Sequence, residues 1–156
     1  KELPVRIFRE EELTRTFDQS PETALAYLKS FDALVIDAFK TSAYVNDLMA
    51  IYIAAMYESD FEKLKGLDPY LVSYDKLTRG LLSLPVPPDF ITVHLMYLNL
   101  LAKEQHSVQN MRSAEQDAIL SVIGLRQFID IYQEFIEMTK HFKDVYTKKG
   151  INPPGG

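Results

Sequence analysis

The chain has 156 residues, 47% hydrophobic and 25% charged, a balance that suits one globular domain with a real core and argues against wholesale disorder. Its net charge of −5 disfavours a general nucleic-acid binder, which needs a basic stripe. Cysteine is absent, which excludes disulfides, thiol catalysis and cysteine-ligated metals together.

The chain begins at Lys1 rather than Met. That start points to a processed form or a fragment and leaves room for a signal peptide or membrane anchor upstream. Residues 1–20 read as an N-terminal arm with a short helix at REEELTRTF. Ser20-Pro21 is a helix start, with serine as N-cap and proline at the first helical position. From there Ala24, Leu28, Phe31, Val35, Ala38, Ser42, Val45, Met49, Tyr52 and Met56 recur at spacings of four and three, a heptad seam. One helix over 21–58 is expected, ~55 Å long at 1.5 Å per residue. A bend near Thr41-Ser42 is allowed, because Ser42 alone interrupts the apolar line.

Asp60 opens a short turn that ends near Gly66. Asp68-Pro69 starts a second helix, 69–83, with Tyr70, Tyr74, Leu77, Leu81 and Leu84 on one line. Pro85, Pro87 and Pro88 stop it and prepare a third helix over 88–112, since proline fits a first turn but not a helix interior. On that helix Ile91, Leu95, Leu98 and Ala102 read as the central buried line. Phe90, His94, Tyr97, Leu101, Glu104, Val108 and Met111 form a second apolar seam, while Thr92, Met96, Asn99, Lys103 and His106 lie toward solvent. Ser113-Ala114-Glu115-Gln116 resembles a capping box and opens a fourth helix over 114–148. Gly150 follows as its C-cap, with lysines gathered in the last turns.

The fourth helix carries two seams, one through Ala118, Val122, Leu125, Ile129, Tyr132 and Ile136, the other through Phe128, Ile131, Phe135, Met138, Phe142 and Val145. Val35 and Ile129, each in mid-seam, are expected in the core. Gly124 implies a close helix approach. The economical assembly is all-α: an antiparallel four-helix bundle over residues 21–150, with two long and two shorter helices plus the short N-terminal helix. Residues 151–156, INPPGG, read as a flexible tail. The longest strongly apolar stretch, LMAIYIAAMY (48–57), is too short to span a bilayer, which takes about 20 residues.

Few residues look chemical. His94 is read as a structural residue, partly buried beside Tyr97 with one nitrogen hydrogen-bonded, in preference to a ligand or catalyst. Glu137 and His141, four apart, read as a surface pair rather than a metal site. Three histidines without cysteine, and no Glu-x-x-His pair, leave no metal and no cofactor expected. The scattered glycines form neither a phosphate loop nor a dinucleotide fingerprint. Nine tyrosines are the more distinctive feature, an apolar body with a polar tip that suits core edges, interfaces and pockets alike.

LLSLPVPPDFITVHLMYLNLL together with QFIDIYQEFIEMTKHFKDVYTKKGI resembles a pattern in uncharacterised exported helical proteins of ultrasmall Patescibacteria-type bacteria, with Val86, Pro87, His94 and Asn99 at the matching positions. The likeness covers residues 81–151 and implies an extracytoplasmic domain that is part of a surface or secretion apparatus. The expected function is non-enzymatic: an interaction or assembly domain with a protein partner or a second copy of itself. The alternative is a sensor or carrier that holds a small molecule between helices near His94, Tyr97, Tyr70 and Tyr74.

Overall fold

The computed structural model of the protein describes residues 4–40 and 44–151. Among the described residues five helices make the fold all-α: α1 (Pro21–Phe39), α2 (Tyr44–Glu58), α3 (Asp68–Ser83), α4 (Ile91–Arg112) and α5 (Ala118–Lys149). Short 3-10 segments, Phe61–Leu67 and Pro88–Phe90, lead into α3 and α4. Among the described residues there is no strand, only an isolated parallel bridge between Arg15 and Val86.

The single helix expected over 21–58 is two helices, α1 and α2; the bend expected at Thr41-Ser42 lies outside the described residues. The two pieces nevertheless follow α5 in one antiparallel register. Phe31 of α1 meets Phe142, and Tyr52 of α2 bonds Ser121, so 21 residues forward on one side are 21 back on the other. α1 and α3, α3 and α4, and α4 and α5 are antiparallel too. Asp37 of α1 pairs with Lys76 of α3, Arg112 of α4 with Asp68 of α3, and Lys103 of α4 with Glu134 of α5. Leu34 against Gly80, Leu81 against His94 and Ser107 against Gly124 show the same directions beside these ion pairs. α1 runs parallel to α4, with Tyr27 at His94 and Phe31 at Tyr97. The result is a four-helix bundle whose first rod is interrupted.

The caps follow the chemistry of the sequence, with one exception. The Ser20 hydroxyl accepts from the Thr23 amide at 3.2 Å, and Gly150 closes α5 at φ +64°, a left-handed conformation that suits glycine. The exception is Ser113. Its hydroxyl donates to the Asn110 carbonyl at 2.7 Å and so closes α4 instead of opening α5. Asp117 caps α5 by accepting from the Leu120 amide at 2.9 Å, and the helix starts at Ala118. The N-terminal helix shrinks to one 3-10 turn, Glu10–Glu12. Extended pairing competes with it: the Thr16 amide donates to Val86 O at 3.1 Å, and the Val86 amide to Thr14 O at 2.9 Å.

The core reverses two seams. On α4 the line through Phe90, His94, Leu101, Glu104, Val108 and Met111 is deeply buried, with Tyr97 half-buried in it, whereas of the expected central line Leu98 is fully buried and Ile91, Leu95 and Ala102 are only half-buried. The second seam wins because it faces α1, α3 and α5 at once. On α5 the packed line runs through Phe128, Ile131, Phe135, Met138 and Phe142. The other faces outward: Val122, Ile129 and Tyr132 are 55%, 47% and 50% exposed. Ile129 is therefore not a core residue, and Val35 sits half-buried against the core's edge. Gly124 meets the close approach expected of it. A Cβ there would lie 2.7 Å from both Ser107 O and Asn110 Cβ on α4.

Candidate functional site

His94 occupies the crossing of three helices and is fully buried. Its Nε2 lies 3.1 Å from Leu81 O of α3, and its Nδ1 lies 2.9 Å from the Tyr27 hydroxyl of α1. A carbonyl only accepts, so Nε2 carries the proton and Nδ1 accepts from Tyr27. Burial pushes the His94 pKa down to about 4, against a smaller upward pull from the Leu81 bond. Burial also pushes the Tyr27 hydroxyl well above its usual range. The ring is neutral near pH 7, has both nitrogens satisfied, and is walled by Phe31 at 6.0 Å. Such a residue ties helices together. It presents nothing to a ligand.

The other residues singled out from the sequence do not converge on it. Tyr70 and Tyr74 are buried on α3, where Tyr74 meets Phe39 edge-on at 5.5 Å. Tyr97 meets Phe31, eight residues earlier on α1 and about 12 Å along the helix from Phe39. Asn99, expected toward solvent or at a boundary, is half-buried with a definite task. Its side-chain oxygen accepts from the Phe8 amide at 2.7 Å, and its amide nitrogen donates to Phe8 O at 3.3 Å. It clamps the arm to α4, and Phe8 itself is buried. His106, expected toward solvent, is buried, 3.2 Å from the Asn110 side chain. It belongs to a polar layer with Glu104, Ser107 and Asn110 on the same helix. Glu137 pairs with Lys140 at 2.7 Å rather than with His141.

Of the open features among the described residues, two beside Lys103 and Glu134 on α4 and α5 are lined in good part by charged side chains, and two others have largely apolar or aromatic walls. The first of these others is a groove between α2 and α5, with a cavity of about 380 Å³ lined by Met49, Ala50, Ile53, Phe128, Ile129 and Tyr132. Its α2 wall comes from LMAIYIAAMY, ten residues without a charge, and Ile53 is exposed there. The exposed Val122 and Ile136 extend the same stripe along α5.

The second is an aromatic cavity of about 380 Å³ where α1, α4 and α5 meet, lined by Phe31, Asp32, Tyr97, Phe142, Lys143 and Tyr146 among others. Phe31 lies 4.9 Å from Tyr97 and 5.4 Å from Phe142, and Phe142 lies 6.4 Å from Tyr146. Burial raises the Asp32 carboxyl above its usual range; Tyr146 is raised by burial and then by the nearby Asp32. Of these residues the sequence reading picked out only Tyr97 as a site. A signal existed: the seams of the first and fourth helices both carry phenylalanines, at 31, 135 and 142, level with Tyr97 in an antiparallel bundle.

Among the described residues no helix is long and apolar enough to cross a membrane. No family model, curated protein or solved structure matches the chain.

Proposed function

We propose that the chain is a non-enzymatic interaction domain that self-associates through the α2–α5 face, working outside the cytoplasm in a surface or secretion assembly as the sequence resemblance implies. The observation that carries this reading is the outward heptad line on α5 beside an uncharged α2 wall. Ile53, Val122, Ile129, Tyr132 and Ile136 all stand exposed on this face, and large apolar side chains grouped in this way mark an interaction surface. A second copy offers the same self-complementary stripe. Analytical ultracentrifugation from micromolar to millimolar concentration tests this. The expected result is a reversible dimer that Ile129→Glu dissociates while the circular dichroism spectrum stays unchanged. A monomer at every concentration would overturn it.

The aromatic cavity supports a second reading, a domain that holds a small molecule between helices. Tyr97 lines the cavity and His94 does not, so the ligand reading rests on Tyr97 with Phe31, Phe142 and Tyr146.

A further inference from the structure

The Asp32 side chain is half-buried on α1, beside Phe31 in sequence and Tyr146 in space. Among the described residues its carboxylate makes no ion pair and no hydrogen bond. Lys143 lines the same cavity yet lies beyond ion-pair distance from it. Asp37 finds Lys40 and Lys76, Asp68 finds Arg112 and Asp89 finds Lys149, while other acidic side chains without an ion pair among the described residues, such as Glu22 and Asp144, stand exposed to water. A partly desolvated carboxylate without a counter-charge is costly, and a bound cation relieves that cost. Around it stand four aromatic rings, whose electron-rich faces attract organic cations at distances up to about 6 Å. The cavity volume of about 380 Å³ falls at the small-ligand end of binding sites.

We propose that this cavity is a binding site for a small organic ammonium ion of the methylated or quaternary type, with Asp32 supplying the counter-charge and Phe31, Tyr97, Phe142 and Tyr146 the aromatic walls. A metal cation suits it less, because one carboxylate among phenyl and phenol rings offers too few oxygen ligands for a hard ion. An anion would have Lys143 alone to meet it, on the exposed side of α5 and opposite a carboxylate. A bound quaternary ammonium needs no hydrogen bond from the site, which fits walls that are largely hydrocarbon.

This inference rests on the second reading above, and the test separates the two. The intact chain is titrated with choline, with tetramethylammonium and with choline's neutral isostere, in which carbon replaces the charged nitrogen. Binding is followed by amide and aromatic-ring NMR shifts. Saturable shifts at Phe31, Tyr97, Phe142 and Tyr146 are expected for the two cations, with the neutral isostere about tenfold weaker. Asp32→Asn should weaken choline about tenfold with an unchanged far-ultraviolet spectrum, whereas Lys143→Gln should bind choline equally or a few-fold more tightly. Co-sedimentation with phosphatidylcholine and phosphatidylglycerol vesicles separates a lipid headgroup from a free ammonium ion as the source. Equal binding of the isostere and choline would overturn the cation site while sparing the small-molecule reading. Shifts by neither would overturn both. Wild-type affinity in Asp32→Asn, or lost affinity in Lys143→Gln, would also sink the role given to Asp32.

Discussion

Because Leu81 O can only accept, the proton on His94 is held at Nε2, and Nδ1 is left to take the Tyr27 hydroxyl. A second proton would have to enter at Nδ1, remove the bond from Tyr27 and place a charge in the core. The sign of the linkage follows. The folded pKa is about 4, below the ordinary value of 6.5, so the unfolded chain binds more protons between those limits. His94 contributes full stability above pH 6.5, and that contribution falls away as pH drops toward 4, by about 3 kcal/mol in all. Urea melts across this window should show the loss in the wild type and a flatter profile in His94→Gln. The variant should also be less stable at neutral pH by about 1–3 kcal/mol, through lost packing and hydrogen bonding. An unchanged slope in the variant would remove His94 as the titrating group. Gly124 makes a second residue-scale case. In an open helix Gly→Ala stabilises by about 1 kcal/mol, but here the methyl would press on Ser107 O and the Met111 amide, backbone atoms that cannot step aside. Gly124→Ala should instead cost about 1–3 kcal/mol, read from the same melts.

The elements of α5 show what periodicity can and cannot decide. Both of its apolar lines repeat at heptad spacing, and hydropathy alone ranks them equally. What separates them is the partner. Gly124 and Ser121 are small enough to let α4 approach on one side, and that selects the line through Phe128 and Ile131 for burial. The outer line keeps its isoleucines without that contact. Two neighbouring isoleucines therefore make a matched test. Ile131→Ala, at a site 5% exposed, should cost about 2–4 kcal/mol, whereas Ile129→Ala should stay within about 0.5 kcal/mol in dilute solution. Equal costs would mean that the outward line is covered even in the isolated chain. The same logic explains His106 and Asn99. Each looks like a solvent-face residue on a helical wheel. One is buried on α4 and the other is half-buried where the arm crosses the helix, and neither arrangement leaves a local trace in sequence.

At the scale of the molecule, the all-α class and the helix ends marked by Ser20, Pro69 and Gly150 were legible, because caps and prolines act within a few residues of where they stand, whereas Pro88 opens a 3-10 turn and α4 starts at Ile91. That α1 and α2 are separate helices was not legible, because the heptad line runs on through both. Nor was the aromatic cavity, because it needs three helices in register before Asp32 and Tyr97 share a wall. The interruption has a dynamic consequence. α4 lies at the centre, with buried contacts to α1, α3 and α5. α2 reaches α5 through the Tyr52–Ser121 bond and borders an open groove. A rod in two pieces can release one piece while the other stays bound, so α2 should open sub-globally, at a lower free energy than the rest of the bundle. Hydrogen exchange resolved by peptide should then show α2 amides exchanging well ahead of those in α4, and self-association across the groove should narrow that gap as concentration rises. Protection of α2 equal to that of α4 in the dilute monomer would mean that the two pieces of the first rod unfold as one.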